Sequence, residues 1–532
     1  MVSISHPKAS AKKNTNPLVV YLLSFTFDGR QLNFIKKIDN YSFCSLQKTR
    51  NMSKYKKFQE VVVMSSKNQP VGYLPDERPP FLELIFFALQ QIVVMFPATV
   101  LVAVITGFHV STTIFASGLA TLCFIFITGR KIPLYYGSSF SYIAAISSIM
   151  TTEAIAENGL NTMISTAQFG IVMSGLVSIA AGLIISKVGK DVVDKILPPT
   201  VTGSIAIIIG LTLAGSAMND AGGATFIGTI SSSPDKFSST VHDAITSGLL
   251  NNMSWIIAAV TLVSTIVYSV YLKGKLSQLP ILFGLLTGYV VALIIGYATG
   301  IPFVSFNVQE SNKIFSLPIF TLPKPSLAAV AAIMPIAIAT IPESTAHLYQ
   351  LDIYVNDLAK KKNSSKIYKI ADKLGLNLIG DGLGDIISGF IGGPAGTNYG
   401  ENISTMAITK VFSVPVLIAA ATITMVISCF TPLINVVYSI PKAVIGGLSI
   451  YLFGVIAAQG IAIMLDRKVD MFKSKNLAVI SVILIVGLGG NYAFPNGMIP
   501  MFGAQFPAIA SAAIVGIALN LILSIGEKKA TE

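Results

Sequence analysis

The sequence has 532 residues, of which 53% are hydrophobic and only 12% are charged, and its mean hydropathy is +0.71. These values exclude an ordinary soluble globular protein, because too few polar residues remain to cover its surface. The net charge of +12 does not indicate nucleic acid as a partner, because many basic residues lie in the N-terminal tail and in short loops between apolar runs, a pattern typical of membrane topology.

Residues 1–80 are polar, basic and aperiodic. They lack the succession of charged, apolar and cleavage-site regions that a secretory signal needs. We therefore expect a cytoplasmic tail, with Met52 and Met64 as alternative translation starts, and a membrane part that begins near Pro79 and Pro80.

The rest of the chain is dominated by apolar runs. Between positions 81 and 526 these runs recur with a length of about 20 residues, which is what an α-helix needs to cross a bilayer. The sequence therefore predicts an all-α membrane protein with fourteen transmembrane segments, here numbered one to fourteen. Their centres lie near residues 93, 120, 141, 176, 208, 262, 290, 338, 382, 403, 422, 450, 484 and 515.

The loops between segments differ in positive charge. If the N-terminus is inside, the loops after even-numbered segments carry eighteen Lys and Arg residues, six of them within residues 351–373. The loops after odd-numbered segments carry four, which are Lys236, Lys313, Lys324 and Lys442. Positive loops stay in the cytoplasm. We therefore expect a multi-pass protein of the plasma (inner) membrane, embedded in its lipid bilayer, with both termini cytoplasmic.

Two pairs of motifs indicate an internal repeat. Pro198-x-x-Val201-x-Gly203 recurs as Pro441-x-x-Val444-x-Gly446, and Tyr136-Gly137-Ser138-Ser139 in segment three has a counterpart in Tyr399-Gly400-Glu401-Asn402 in segment ten. Seven segments separate the members of each pair, and an odd repeat unit must invert its second copy across the bilayer. The prediction is a seven-plus-seven inverted repeat.

Segments three and ten do not begin as good helices. Residues 133–140 and 392–402 are rich in Gly or contain Pro, which predicts a short extended stretch in each segment. Two symmetric stretches can satisfy each other's main-chain groups and leave edges for a ligand. A planar ligand with amide-like N–H and C=O edges would suit such a site.

Few ionisable side chains lie inside the predicted segments, and each is a candidate for a substrate or proton site, because an unpaired charge in the membrane is costly. Glu343 and His347 are four residues apart on one helix face, where they can interact or compete for one proton. A purely structural hydrogen-bonded pair is the alternative interpretation. The other such residues are Asp381 and Asp385 in segment nine and Glu401 in segment ten.

No metal or cofactor is expected. The cysteines Cys44, Cys123 and Cys429 show no paired spacing, and the four histidines show no ligand spacing.

Four stretches carry a resemblance to a known family. They are residues 90–99 (QQIVVMFPAT), Gly137-Ser138-Ser139-Phe140, Glu343-x3-His347-Leu348 and residues 397–409. They resemble the nucleobase/ascorbate transporters, and most closely the bacterial uracil:proton symporters, over residues 78–526. The resemblance implies import of a nucleobase, uracil first and xanthine or uric acid next, with a proton as the coupling ion and a homodimer as the assembly.

The resemblance also implies two domains with the substrate between them. A core domain would comprise residues 81–188 and 327–432, and a gate domain residues 189–326 and 433–526, before a cytoplasmic tail at 527–532. Glu343 and Glu401 would accept from ring N–H groups, and His347 with Glu343 would couple the proton. The other implied site residues are Phe140, Gly400, Ala98, Tyr399 and Ser139, with a supporting network of Asp381, Asp385, Asn402 and Thr409.

Two residues depart from the family pattern. Ser404 replaces a signature glycine, and Pro97 lies where the uracil symporters typically have glycine. Glu401 in place of Gln favours a uracil-like ligand, because a carboxylate only accepts hydrogen bonds whereas an amide also donates.

Two alternative functions fit the sequence less well than nucleobase transport. An anion transporter of the same architecture, for sulfate or bicarbonate, would place its substrate beside two carboxylates that repel it. Gly382-Leu383-Gly384-Asp385 matches the G-x-G-D motif of intramembrane aspartyl proteases, but the chain has no Tyr-Asp dipeptide to supply their second aspartate. The sequence therefore predicts a transporter and not an enzyme.

Overall fold

The computed structural model describes residues 21–27, 30–36, 72–189, 195–232, 238–273, 276, 279–305, 313–501 and 504–531. They belong to two compact units, Met1–Pro70 and Val71–Glu532. In the first unit, Tyr21–Phe27 (β1) and Arg30–Lys36 (β2) form an antiparallel hairpin. This differs from the aperiodic tail that we expected, and aromatic residues that favour extended backbone occur in both strands. Met52 and Met64 lie outside the described residues.

The second unit is mainly helical. Its first half contains the helices Phe81–Thr106 (α1), Val110–Ile127 (α2), Ile143–Ile149 (α3), Thr152–Asn158 (α4), Leu160–Val188 (α5), Pro199–Thr212 (α6), Ala214–Ala221 (α7), Ala224–Ser232 (α8), Ser239–Thr246 (α9), Leu249–Tyr271 (α10) and Pro280–Thr299 (α11). Its second half contains Leu327–Ile333 (α12), Ile336–Lys361 (α13), Leu374–Ile391 (α14), Gly400–Thr409 (α15), Val414–Ile427 (α16), Thr431–Tyr438 (α17), Lys442–Asp466 (α18), Ser474–Leu484 (α19), Gly490–Ala493 (α20) and Ala508–Thr531 (α21). Short strands are Tyr136–Ser138 (β3), Gly396–Asn398 (β4), Met498–Met501 (β5) and Ala504–Pro507 (β6).

Proline and glycine mark several helix ends. Helices α6, α11, α16 and α17 have proline in the first two positions, where the missing N–H has no intrahelical partner to lose. Gly107 and Gly392 adopt the left-handed conformation that ends α1 and α14, which glycine reaches without a Cβ penalty.

The spans agree with the predicted fold class. Eleven helices in the described ranges are long and apolar enough to cross a membrane, and Phe140–Ile149 and Val414–Ile427 are shorter apolar helices. The predicted centre of segment ten falls on α15, which has ten residues and rises only about 15 Å. Such a half-helix cannot cross alone, so the count of fourteen stays a prediction, whereas the all-α class and the extended stretches in segments three and ten are confirmed.

Helix crossings follow the symmetry of the repeat. Segment four crosses segment nine where a Cβ on Gly175 would collide with the carbonyl oxygen of Gly382. In a seven-plus-seven repeat, segment four corresponds to segment eleven and segment nine to segment two. Segments eleven and two also cross, and a Cβ on Gly118 would lie 2.7 Å from the carbonyl oxygen of Ala421. Small residues let transmembrane backbones approach closely. The equivalent crossings support the seven-plus-seven arrangement.

Apolar packing groups the helices into clusters. One cluster joins α1, α2, α13, α14, α15 and α16, and another joins α10 and α11 with the beginning of α18. The first contains only segments that were assigned to the core domain, and the second only segments assigned to the gate domain. The division into core and gate remains a prediction.

Residues 72–80 pack on the membrane unit, although we assigned them to the tail. Tyr73 exchanges main-chain hydrogen bonds with the loop after α15, from its N–H to Lys410 and from the Phe412 N–H to its carbonyl, both at 2.8 Å. The Lys362 ammonium binds the Glu77 carboxylate at 2.5 Å. These contacts depend on residues about 300 positions away, which local composition does not reveal.

Candidate substrate site

Two extended stretches meet in the interior, as the sequence predicted. Strands β3 and β4 pair antiparallel. Two further main-chain hydrogen bonds extend the pair, from Ser139 N–H to the Ala395 carbonyl at 3.0 Å and from Tyr399 N–H to the Tyr135 carbonyl at 2.9 Å. Each strand thus satisfies main-chain groups of the other, which is a condition for non-helical backbone at membrane depth.

These hydrogen bonds also establish which residues are equivalent in the repeat. The symmetry of the repeat would convert one of these bonds into the other. This requires Ser139 to correspond to Tyr399 and Tyr135 to correspond to Ala395. The shared Tyr-Gly dipeptide instead predicts that Tyr136 corresponds to Tyr399. The main-chain pairing corrects that prediction by three residues and makes Phe140 equivalent to Gly400.

A helix begins after each strand at these equivalent positions. Phe140–Tyr142 forms a single 3₁₀ turn that continues into α3, and α15 begins at Gly400. The Ser139 hydroxyl accepts from the Ser141 N–H at 3.3 Å. The first N–H groups of a helix lack intrahelical acceptors and carry partial positive charge. Two helix N-termini therefore offer donors to a ligand with carbonyl groups.

One carboxyl group lies at each of these N-termini. Glu343 on α13 accepts from the Ser141 hydroxyl at 3.1 Å, and Glu401 lies in the first turn of α15. The two acids are half-buried and close enough to interact electrostatically. The structure thus brings both predicted acceptors to one place.

His347 lies one turn after Glu343 and faces the second half-helix. A Cβ on Gly400 would lie 2.8 Å from the imidazole Nε2, and the ring hydrogen-bonds to the main chain of Asn398. Its Nδ1 is buried without a hydrogen-bond partner in the described part of the chain. The imidazole therefore connects α13 with both β4 and α15.

The three predicted lining residues are placed differently from one another. Ala98 is buried in the apolar cluster around α1, and Ser139 caps the turn described above. The Tyr399 hydroxyl lies 2.9 Å from the Thr99 hydroxyl and donates to the Ser138 carbonyl at 3.0 Å. Its side chain is therefore held inside the protein, and whether these residues line the pocket stays a prediction.

Asp381 and Asp385 hold the second extended stretch. The Asp381 carboxylate accepts from the Ser344 hydroxyl and from the Asn398 amide at 3.2 Å. Asp385 accepts from the Tyr136 hydroxyl at 2.5 Å and from the Gly396 N–H at 2.8 Å. Both acids contact the strands behind the site, which is the geometry expected of network residues.

Asn402 and Thr409 differ in their contacts. The Asn402 amide donates to the main-chain carbonyl of Gln91 at 3.0 Å and to its side-chain oxygen at 2.7 Å, which ties α15 to α1. The Thr409 hydroxyl donates to the Thr405 carbonyl of its own helix at 2.8 Å. Of these two, only Asn402 makes a network contact that joins separate elements.

Several residues at the site were not predicted. Phe453 on α18 is 2% exposed, and its ring packs edge-on against Phe140 at a centroid distance of 5.8 Å. An aromatic residue in an apolar helix gives no local signal of such a contact. Asn377 lies one turn before Asp381 and donates to the Ser344 hydroxyl at 2.7 Å. That spacing on a polar helix face was a usable signal.

The described residues contain no group of three or more His, Cys, Asp or Glu side chains arranged to hold a metal ion.

Comparisons with known proteins agree over most of the chain. The model of a family described as "Permease family", named Xan_ur_permease, matches residues 82–496. The chain is 36% identical to "Uracil permease" of Bacillus caldolyticus, over 87% of this chain and 97% of the relative. It is 34% identical to "Uracil permease" of Escherichia coli (strain K12), over 84% of this chain and 93% of the relative.

Solved structures with a similar fold are more distant. The transmembrane domain of the cyanobacterium bicarbonate transporter BicA matches with a TM-score of 0.50 at 14% identity, over 82% of this chain and 96% of that one. The murine Slc26a9 anion transporter matches with a TM-score of 0.56 at 13% identity, over 92% of this chain and 74% of that one. At such identities the likeness concerns the fold alone, so it does not favour the anion-transporter alternative.

Proposed function

The chain belongs to the xanthine/uracil permease family and is a nucleobase transporter, and we propose that its substrate is uracil, imported together with protons. This membership also removes the protease alternative. Asp385, the aspartate of the G-x-G-D motif, hydrogen-bonds to the Tyr136 hydroxyl and to the Gly396 N–H of β4, which is a structural contact.

The observation that carries the substrate proposal is the pairing of two helix N-termini with two carboxyl groups. Uracil is a small planar ring whose edge alternates N–H donors and C=O acceptors. Glu343 and Glu401 can accept from the ring N–H groups, while main-chain N–H groups at Phe140 and Gly400 can donate to the ring carbonyls. A carboxylate at Glu401 cannot donate, so this arrangement favours a ligand that presents N–H there.

Proton coupling would involve Glu343 and His347. The two residues lie one turn apart on α13, and the imidazole also contacts Gly400 and Asn398 of the opposing stretch. A substrate that bridges Glu343 and Glu401 would change the electrostatic environment of the imidazole. Substrate and proton binding are then interdependent, which a symporter requires.

Alternating access would move the core domain against the gate domain around this site. Phe140 of the proposed core domain packs against Phe453 of the proposed gate domain, and this contact supports a boundary between the two domains there. The proposal includes location in the plasma membrane with both termini cytoplasmic, as the distribution of positive loops favours. It also includes assembly as a homodimer, on family resemblance alone.

The test is uptake of labelled uracil into proteoliposomes that contain the purified chain. We expect uptake to require an imposed inward proton gradient and to be competed by unlabelled uracil more strongly than by xanthine or uric acid. Stronger competition by xanthine would contradict uracil as the substrate. Equal accumulation with and without the gradient would contradict proton coupling.

A further inference from the structure

Lys442 connects two helices that belong to different proposed domains. It is the first residue of α18, and its Nζ donates to the carbonyl oxygen of Val104 at 3.3 Å. Val104 lies in the last turn of α1, where carbonyl groups have no N–H partner within the helix. Helix α1 carries no basic residue in that turn, and the Gly107 N–H that closes it bonds to Ala103. Lys442 thus supplies a cation that the C-terminus of α1 lacks.

The position of Lys442 on its own helix is unfavourable. The N-terminus of a helix carries partial positive charge, which opposes an ammonium group. Asp220 lies near the C-terminus of α7, which carries partial negative charge and is therefore unfavourable for a carboxylate. Asp220 is 5% exposed and interacts electrostatically with Lys442. Each charge therefore offsets the unfavourable position of the other.

Asp220 and Lys442 lie on two helices that pack directly on each other, whereas Val104 lies on a third helix, α1. A Cβ on Gly446, one turn after Lys442, would collide with the main-chain nitrogen of Ala221. The start of α18 therefore packs directly on the residue that follows Asp220, within the proposed gate domain. Val104 belongs to the proposed core domain. Relative movement of the two domains would separate Lys442 from Val104, and the Lys442 ammonium would remain beside Asp220.

We infer that Lys442 is a latch of the outer gate, whose ammonium binds the Val104 carbonyl when the outer side is closed and Asp220 when it is open. The end of segment one, the end of segment five and the start of segment twelve all lie on the predicted outer side. The inference rests on the proposed alternating access, since a static protein would have no second state for the ammonium to occupy.

The test measures access from outside to a cysteine placed below the latch. Leu101 is 5% exposed and lines a narrow apolar cavity between α1 and α18. Leu101→Cys is made in a background where Cys44, Cys123 and Cys429 are serine, and its rate of reaction with an impermeant maleimide is measured in intact cells. The Asp220→Asn change leaves the hydrogen bond to Val104 in place and removes the charge that the ammonium would approach in the open state, so it should slow labelling by about fivefold.

The second step adds Lys442→Met to the Asp220→Asn protein. In this background the Lys442→Met change removes only the hydrogen bond to the Val104 carbonyl, which holds the closed state. Labelling should therefore be about fivefold or more faster than in Asp220→Asn alone. Lys442→Arg keeps the cation and should leave labelling slow. Lys324→Met removes an exposed lysine of the outer face and is the matched control. Size-exclusion profiles of the purified variants verify that each one is folded.

The inference is overturned if labelling is equally slow with and without Lys442→Met, or if Asp220→Asn accelerates it. Either result would assign Lys442 and Asp220 to a static ion pair within the gate domain. Uracil binding to the purified parent protein is measured in parallel. Binding without a change in labelling rejects the latch alone, whereas absence of uracil binding rejects the proposed substrate and leaves the labelling test valid.

Discussion

His347 packs directly on Gly400, since a Cβ at Gly400 would lie 2.8 Å from the imidazole Nε2. Because Gly400 has no side chain, His347, which we propose couples protons, can contact the first turn of α15, the half-helix that carries Glu401. Contact between these two positions links segment eight with segment ten, and it makes the space at Gly400 a direct test of the proposed site.

We expect Gly400→Ala to reduce uracil uptake by about tenfold or more, because the added methyl group must displace the imidazole or the start of α15. Gly454→Ala is the matched control, since a Cβ on Gly454 would meet no atom within 4 Å. Initial rates in proteoliposomes measure both variants. Normal uptake by Gly400→Ala would show that this contact is not needed for transport.

We expect Glu401→Gln to weaken uracil binding by about tenfold, because a charge-assisted hydrogen bond is replaced by a neutral one at a cost of about 1–2 kcal/mol. Equilibrium binding to purified protein measures the change. Glu157→Gln, at an exposed position of α4, is the control and should bind as the parent does. Unchanged affinity in Glu401→Gln would remove Glu401 as an acceptor.

We expect His347→Ala to keep measurable uracil binding while losing accumulation driven by a pH gradient, because the carboxyl groups and helix N-termini remain. Glu343→Ala should lose both, since it removes a substrate acceptor as well. The measurements are binding to purified protein and uptake into proteoliposomes with an imposed gradient. Full accumulation by His347→Ala would return the histidine to a structural role.

We expect Asp385→Ala to lower the free energy of unfolding by about 1–3 kcal/mol, because the Tyr136 hydroxyl and the Gly396 N–H would lose a buried acceptor. Thermal unfolding of the detergent-purified protein measures the loss. Asp243→Ala, on the exposed side of α9, should unfold as the parent does. An equal melting temperature for Asp385→Ala would argue that this network does not support the strands.

We expect the loop at 302–326 to be outside, and residues 351–373, which comprise the end of α13 and the connection to α14, to be cytoplasmic. An impermeant thiol reagent applied to intact cells should label Leu317→Cys, which replaces a side chain that is 77% exposed. It should label Asn363→Cys only after the cells are opened. Labelling of Asn363→Cys alone in intact cells would invert the topology.

The sequence alone determined the membrane class and the extended stretches, and it singled out the acids of the candidate site. Continuous apolar runs, Gly-rich segment starts and carboxyl groups within apolar helices are local properties, and each has a direct physical meaning in lipid. The same local reasoning could not tell that segment ten contributes a ten-residue half-helix to the described structure. Length along the chain is visible in sequence, but the depth that a helix reaches is not.

Tertiary structure alone decided which distant groups meet. The pairing of β3 with β4 moved the repeat correspondence by three residues, because main-chain hydrogen bonds and not shared side chains define equivalence. Contacts such as Asn402 with Gln91 and Lys442 with Val104 join residues more than 300 positions apart. Local propensity and periodicity leave no trace of such partners, since they arise only when packed helices bring an unsatisfied carbonyl or amide within reach of a donor or acceptor.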